Sequence, residues 1–394
     1  MKKKTMLLLI VIYIAFIALG LPDALLGSAW NLVREDLSVS LGTLGIMTFI
    51  VYVMSVAATY NAPRILKVMQ TKWVVGVSIL MTGTALLSIS MVGAFWHMLF
   101  FALPLGAGAG AIDVSLNHYL AINHKARHMN LLHSFYGIGV TSGPAIMALA
   151  LGQGKWRSGY LAVGIILLAI ALVVFLSFPL WKDEHEDERN SHHAHVPLGT
   201  IIGTKGVMNA VLIFTTYVHL ESLAGVWIAS YIYIEKGLGY AGSALFATLY
   251  YLGLTLGRII SGIIGDRLSA RSFVIAGESM VLTGIVLLFL ETQSIVPYVI
   301  AVGLIGLGSG PVFPNMMMAN TDLFEKKVLS RVISLEMAVG YLGFGILTPL
   351  AGLVFDRAGI WLYPYVMAVA GIVMFLLSIR LLARPDTPLI RKET

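Results

Sequence analysis

Five acidic residues lie inside apolar segments that are long enough to cross a membrane. They are Asp23, Asp113, Glu221, Glu278 and Glu336. A charged side chain at the centre of a bilayer costs about 2.5–3.5 kcal/mol on insertion scales, so such residues usually face protein or water and carry function. An apolar environment disfavours the charged form of a carboxyl group, so the group can take up and release a proton. These acids are therefore candidate proton carriers.

Four of the acids and one histidine are our candidates for proton coupling. The set is Asp23, Asp113, Glu221, Glu336 and His133. We prefer Asp23 and Asp113 within this set. Glu278 is assigned a structural role, because the ninth apolar segment is expected to lie at the periphery. Arg258 also lies inside a predicted span.

Polar and aromatic residues near the acids are candidates for substrate binding. Asp113 and Asn117 are four residues apart on one helix face, where a carboxylate beside an amide can bind hydroxyl groups. Trp30 and Trp227 each follow one of the acids, and aromatic rings stack on flat apolar surfaces, although anchoring at the membrane interface explains them equally. The candidate binding residues are Asp23, Trp30, Asp113, Asn117, His133, Trp227 and Asn315.

The elements that position these residues are membrane helices. The composition is 58% hydrophobic and 12% charged, with a mean hydropathy of +0.86, whereas soluble domains carry roughly 25% charged residues. Runs of about 20 apolar residues, the length that crosses a bilayer, recur along the whole chain, and the first is expected to form one uncleaved helix over 6–31. The sequence predicts an all-α membrane protein with twelve transmembrane helices.

One long polar connection divides the chain near its middle. It begins at residue 182, carries a run of acids and then becomes histidine-rich. The histidine spacing matches no closed metal site, so a solvated linker is the better interpretation. We predict an N-terminal six-helix bundle at 1–181, a cytoplasmic linker at 182–206 and a C-terminal six-helix bundle at 207–394.

Matching features in the two halves are offset by about 200 residues. Glycines at 106, 108 and 110 precede Asn117, and glycines at 306, 308 and 310 precede Asn315. Two further matches have an offset of 198 residues, Asp23 with Glu221 and Gly27 with Gly225. Weak internal symmetry is typical of transporters built from structural repeats. We predict two pseudo-symmetric bundles that rock around a central cavity.

The basic residues predict the orientation in the membrane. Cytoplasmic loops near membrane spans are enriched in lysine and arginine. With both termini inside, twenty of the 26 lysines and arginines fall on the cytoplasmic side and five on the opposite side. We expect a monomeric multi-pass protein of the cell membrane with both termini cytoplasmic.

The segment after the eighth span reads Gly262-Ile-Ile-Gly-Asp266-Arg267-Leu-Ser-Ala-Arg271. With the twelve predicted spans and the division into halves, it resembles the loop motif of the major facilitator superfamily. This resemblance implies a gating role for Gly262, Asp266, Arg267 and Arg271. The equivalent segment of the first half, 63–72, keeps the basic charge but lacks the Asp-Arg pair.

Three stretches of the first half narrow the resemblance. They are Pro22-Asp23-Ala-Leu-Leu, Gly110-Ala-Ile-Asp113-Val-Ser-Leu-Asn117 and Asn130-Leu-Leu-His133-Ser-Phe135-Tyr-Gly137. They resemble the fucose–galactose–glucose:proton symporter family, which implies that Asp23 and Asp113 serve sugar recognition and proton coupling, with Asn117 beside them. The chain differs in having Asp113 where the fucose transporter has Glu, and His133 where it has Gln.

We therefore expect a secondary transporter that couples protons to the symport of a small polar substrate, such as a monosaccharide, by alternating access. A proton-antiporting exporter of amphipathic compounds is the alternative, favoured by 18 methionines and many aromatic residues. A receptor that retains a transporter fold is less favoured.

An enzyme is not expected from the sequence. It contains no phosphate loop, zinc motif or nucleophile elbow. The absence of cysteine excludes thiolate chemistry, disulfides and cysteine-ligated metal. The expected partners are substrate, protons and lipid, without a cofactor, a metal or nucleic acid.

Overall fold

The computed structural model describes residues 3–123, 126–181 and 198–382, and their regular structure is entirely helical. The α-helices in these ranges are α1 (Lys3–Gly20), α2 (Leu25–Asp36), α3 (Thr43–Val68), α4 (Thr71–Ile89), α5 (Phe95–Asn123), α6 (Ala126–Leu151), α7 (Trp156–Leu176), α8 (Leu198–Gly203), α9 (Val207–Lys236), α10 (Tyr240–Ile264), α11 (Ala270–Leu288), α12 (Val296–Leu323), α13 (Lys326–Ala358) and α14 (Tyr363–Leu382). Twelve spans in the described ranges are long and apolar enough to cross a membrane. The predicted all-α fold with twelve transmembrane helices is confirmed.

The first span is interrupted, which differs from the single helix expected over 6–31. It consists of α1 and α2, separated by a turn at residues 21–24. Pro22 has no backbone N–H to continue the helical hydrogen bonds, and the N–H of Asp23 bonds instead to the carbonyl oxygen of Gly20 at 3.2 Å. Irregular backbone at membrane depth is tolerated only against protein or a water-filled cavity. The interruption therefore indicates that this part of the span faces protein or a water-filled cavity and not lipid.

Glycines allow α5 to pack against two neighbouring helices at backbone contact. A Cβ atom at Gly106 would lie 2.1 Å from the carbonyl oxygen of Val51 on α3. One at Gly108 would lie 2.9 Å from the carbonyl oxygen of Ser78 on α4. Small residues permit this close approach of membrane helices.

The glycines of α12 pack in the equivalent way. A Cβ atom at Gly310 would lie 2.4 Å from the carbonyl oxygen of Leu254 on α10, and one at Gly308 would lie 2.4 Å from that of Gly277 on α11. The glycines matched at an offset of about 200 residues therefore serve the same kind of packing in the two halves of the sequence.

The described residues form two compact units. The first unit takes residues within Met1–His185, Gly225–Tyr251 and Pro349–Ile360, and the second takes residues within Glu186–Ala224, Leu252–Thr348 and Trp361–Thr394. The first unit thus includes parts of α9, α10 and α13. Most of the predicted linker, residues 182–197, lies outside the described residues. The division into bundles at 1–181 and 207–394 stays a prediction.

Candidate functional site

A cleft in the first unit opens beside the interruption of the first span. Its walls come from α1 to α5 and from Val226 of α9, and the space between them, including the open mouth, is about 570 Å³. Ligand pockets commonly have mostly apolar walls with a few polar groups. The polar side chains in these walls are Asp23, Thr48, Tyr52 and Thr82.

Asp23 is exposed to the cleft and is held by α6. The hydroxyl group of Tyr136 donates a hydrogen bond to Oδ2 of Asp23 at 2.7 Å. A Cβ atom at Gly20 would lie 2.5 Å from the carbonyl oxygen of Tyr136, so α6 contacts the end of α1 directly. Tyr136 therefore fixes the orientation of a carboxylate that solvent in the cleft can reach. Tyr136 lies in one of the three stretches that carry the family resemblance, but it was not among the predicted site residues.

Asp113 and Asn117 are joined by a hydrogen bond on one face of α5. The Nδ2 atom of Asn117 donates to Oδ1 of Asp113 and to its carbonyl oxygen, both at 2.8 Å. Ile112, the preceding residue, lies in the cleft wall. In the described structure, the hydrogen-bond partner of the Asp113 carboxylate is therefore the amide of Asn117.

Glu221, in the second unit, has a cationic partner. Its Oε1 atom lies 3.4 Å from Nη2 of Arg258 on α10, and each side chain is about one fifth exposed. One turn earlier on α9, Tyr217 donates to the carbonyl oxygen of Ser309 at 3.2 Å. Opposite charges offset each other's burial in apolar surroundings, so the environment of Glu221 differs from that of Asp113.

Glu336 forms its hydrogen bond with Asn320, a residue that was not among the predicted site residues. The Nδ2 atom of Asn320 donates to Oε2 of Glu336 at 2.7 Å, and both residues are completely buried in the second unit. Asn315, the predicted binding residue, donates to the carbonyl oxygen of Pro311 on its own helix at 2.7 Å. An amide inside the apolar α12 was the signal that could have identified Asn320.

The two tryptophan candidates are enclosed by protein in this conformation, whereas His133 is not. Trp30 is completely buried and donates to the carbonyl oxygen of Leu41 at 2.9 Å. Trp227 is also completely buried, with its ring 5.5 Å from that of Phe355. His133 is exposed on α6, and its ring meets Phe16 edge-on at 5.6 Å.

The predicted gating segment forms a short connection between α10 and α11. Gly262 lies in the last turn of α10, and a 3-10 turn spans Gly265–Arg267. Arg267 is exposed and Arg271 is half-buried near the start of α11, while the side chain of Asp266 lies outside the described residues. The connection is thus a tight, basic turn at a helix end.

A seam between α2 and α9 lies within the first unit. Its three contacts join Gly27 to Val226, Asn31 to Ala229, and Glu35 to Tyr233. The last two contacts each join residues 198 apart, which is the offset of the internal repeat. The seam therefore brings matched positions of the two halves together.

Further contacts close the same end of α2. The hydroxyl groups of Tyr233 and Tyr240 both donate to the carboxylate of Glu35, and their rings stack with centroids 4.7 Å apart. The backbone N–H of Gly42 donates to Oδ1 of Asp356 at 3.1 Å. These bonds connect α2 and the turn after it to α9, α10 and α13.

A family model described as Major Facilitator Superfamily matches residues 12–246 and 212–394. The chain belongs to the major facilitator superfamily. Membership explains the twelve spans and agrees with the resemblance of its loop motif. It also makes the chain a multi-pass membrane transporter and not an enzyme, as predicted.

Two relatives are similar in sequence. The chain is 22% identical to bypass of stop codon protein 6 of Saccharomyces cerevisiae, over 69% of this chain and 61% of that protein, so the match spans less than two thirds of the yeast relative. It is 19% identical to the glucose/mannose transporter GlcP of Bacillus subtilis, over 94% of this chain and 93% of the relative.

Solved structures share the superfamily fold. A D-xylose-proton symporter matches with a TM-score of 0.73 at 10% identity, over 95% of this chain and 98% of the other. A point mutant of the nucleoside transporter NupG matches with a TM-score of 0.76 at 12% identity, over 97% and 99% of the two chains. These similarities establish the fold.

Proposed function

We propose that the chain is a proton-coupled symporter of a small polar substrate such as a monosaccharide, acting as a monomer by alternating access in the cell membrane. The observation that carries this proposal is the exposed carboxylate of Asp23, which lies in a cleft at an interruption of the first span. A charge at this depth is expected only where it serves a function.

The cleft matches the chemistry of a sugar. A carboxylate accepts hydrogen bonds at both oxygens, and one oxygen of Asp23 already accepts from Tyr136. Thr48 and Thr82 add hydroxyl groups to walls that are otherwise mostly apolar. A hydroxyl-rich substrate with an apolar ring face can use both kinds of surface.

Asp113 is the proposed proton carrier beside this cleft. Its carboxylate bonds to the neutral amide of Asn117, and no lysine, arginine or histidine among the described residues forms an ion pair with it. A buried charge without a counterion is unfavourable, so proton uptake at Asp113 relieves an energetic penalty. Glu221 has Arg258 as its counterion and is a weaker candidate on this ground.

Alternating access requires one end of the cleft to close while the other opens. The seam of α2 and α9 closes the end that the distribution of basic residues assigns to the outside of the cell. We propose that this seam separates when the outside opens. The turn that carries Gly262 and Arg267 is the proposed gating segment on the side that the basic residues assign to the cytoplasm.

The similar proteins agree with a sugar as substrate. GlcP is named a glucose/mannose transporter, and one of the matching structures is a D-xylose-proton symporter. Those substrates belong to the proteins that carry these names. The proposal for this chain depends on the cleft.

Proton movement into proteoliposomes after addition of sugars tests the proposal. Inward proton flux is expected with at least one hexose or pentose, and Asp113→Asn is expected to remove the flux while the protein stays folded. Asp23→Asn is expected to remove sugar binding as well. Glu291→Gln, which changes an exposed acid between α11 and α12, is the matched control and is expected to keep full flux. A broad sugar panel without binding or flux would contradict the proposal.

Export of amphipathic compounds is the second candidate function. Ten of the fourteen residues in the cleft walls are apolar, and such walls accept varied apolar ligands. Cells that produce the chain would then tolerate amphipathic drugs better than cells without it, and sugars would not compete. Unchanged drug susceptibility would exclude this function.

A further inference from the structure

The hydrogen-bonded pair of Glu336 and Asn320 leaves two buried oxygen atoms without a partner. Nδ2 of Asn320 donates to Oε2 of Glu336 at 2.7 Å. Among the described residues, neither Oε1 of Glu336 nor Oδ1 of Asn320 has a hydrogen-bond partner, and both residues are completely buried. Buried polar atoms are rarely left unpaired in native structures. The two orphan atoms therefore require an explanation.

The charges around the pair do not neutralise a carboxylate. On α13 itself the nearest described base is Arg331, which is partly exposed and five residues away, while Asp322 and Glu325 at the end of α12 are exposed acids. Neither Arg331 nor Arg271 of α11, the helix that packs along α12, forms an ion pair with Glu336 in the described structure. Glu278 of α11 is an acid that accepts from Ser378.

The facing helix α9 adds no counterion either. It packs against α13 where a Cβ atom at Gly340 would lie 2.6 Å from the ring of Phe214. The titratable residues on this part of α9 are Tyr217, His219 and Glu221. Tyr217 donates to the carbonyl oxygen of Ser309, and Glu221 is paired with Arg258. An ionised Glu336 would thus be a fully buried charge beside a neutral amide, which is strongly unfavourable.

We propose that Glu336 and Asn320 form a proton-binding site in which one proton completes the pair. The proton resides on Oε1 of Glu336 and is donated to Oδ1 of Asn320, while Nδ2 of Asn320 continues to donate to Oε2. One proton from solvent then satisfies both orphan oxygens and removes the buried charge. The ligand is the proton alone.

The site joins the end of α12 to the start of α13. Asn320 lies in the last turn of α12 and Glu336 near the third turn of α13, sixteen residues later. Loss of the proton leaves a carboxylate oxygen next to an amide oxygen, and like partial charges repel. Proton binding therefore stabilises the contact between these two helices. Neither residue lines the cleft of Asp23, so proton binding here does not require that the cleft bind a sugar.

Glutamine at position 336 reproduces the protonated state permanently. Its Nε2 group donates to Oδ1 of Asn320, and its Oε1 accepts from Nδ2. The test compares the thermal unfolding temperatures of the purified full-length wild type and Glu336→Gln from about pH 6 to about pH 9. A proton that is held only by the folded state makes the stability of the wild type fall as pH rises. We expect the unfolding temperature of the wild type to fall by a few degrees more over this range than that of Glu336→Gln. At the alkaline end, the unfolding temperature of Glu336→Gln should equal or exceed that of the wild type.

The controls make each outcome decisive. Glu325→Gln changes an exposed acid between the same two helices and is expected to leave the wild-type pH dependence intact. The infrared spectrum of wild type minus Glu336→Gln is expected to show a carboxylic-acid C=O band at neutral pH. A carboxylate band in that spectrum, a pH-independent difference in unfolding temperature, or failure of Glu336→Gln to fold would each overturn the proposal.

Discussion

Replacing Gly27 by alanine tests whether the seam of α2 and α9 is a gate. The added Cβ atom would lie 2.5 Å from the carbonyl oxygen of Val226, whereas ordinary contact begins near 3.4 Å. The neighbour is backbone, which cannot rotate away as a side chain can. The two helices must therefore separate by about 0.9 Å at this level before the methyl group fits.

The size of the effect follows from the cost of overpacking. Extra methyl groups in a packed interior typically cost about 1–3 kcal/mol. Because the clash exists only while the seam is closed, this cost shifts the equilibrium toward the open seam by about 5- to 150-fold. The protein is otherwise expected to fold normally, since Gly27 also borders the open cleft.

The absence of cysteine in the chain makes the shift measurable. Ser230 is completely buried on α9, next to the seam residue Ala229, so Ser230→Cys places a single thiol behind the closed seam. Labelling by a membrane-impermeant maleimide from the outside should accelerate by the same factor when Gly27→Ala is added. Gly93→Ala, at a position with open space, should leave the rate unchanged. Equal rates in folded Gly27→Ala and its parent would refute the gating role.

Three further predictions can be tested in the protein that carries Ser230→Cys. Tyr233→Phe removes one hydrogen bond to Glu35 and should raise the labelling rate several-fold, less than Gly27→Ala, because the carboxylate is 40% exposed. Asp36→Asn weakens the ion pair with Arg157. Both of those side chains are about 40% exposed, so we expect a loss of at most about 1 kcal/mol of stability, measured by thermal unfolding, and no change in labelling. Gly310→Ala places a methyl group against the backbone of α10 and should lower the yield of folded protein in size-exclusion chromatography.

The number of spans could be predicted from sequence because the length and polarity of each apolar run decide it locally. The interruption at 21–24 could not be predicted from its proline. Pro104 and Pro144 also lie inside apolar runs, yet α5 and α6 continue through them. Neighbouring helices can satisfy the backbone groups that a proline frees, so the outcome depends on packing that local sequence does not contain.

The partners of the candidate residues could not be predicted from the sequence for a related reason. Tyr136 and Asp23 are 113 residues apart, and Asn320 and Glu336 are sixteen apart on different helices. No helical periodicity links such positions. The internal repeat did identify matched positions 198 residues apart, but symmetry alone does not say which matched positions touch.

Two consecutive acids at the end of α2, Glu35 and Asp36, look alike in the sequence but have different partners in the structure. Asp36 binds Trp156 and Arg157 at the start of α7, and Glu35 binds tyrosines of α9 and α10. If the chain moves as bundles 1–181 and 207–394, contacts inside a bundle persist through the transport cycle and contacts between bundles break. The bond of Asp36 must then survive opening, whereas both bonds of Glu35 must be lost together. The end of α2 therefore carries two adjacent acids with different roles, because Asp36 stays attached to α7 and Glu35 is released. Of these two acids, only Glu35 can affect the equilibrium between the closed and the open seam.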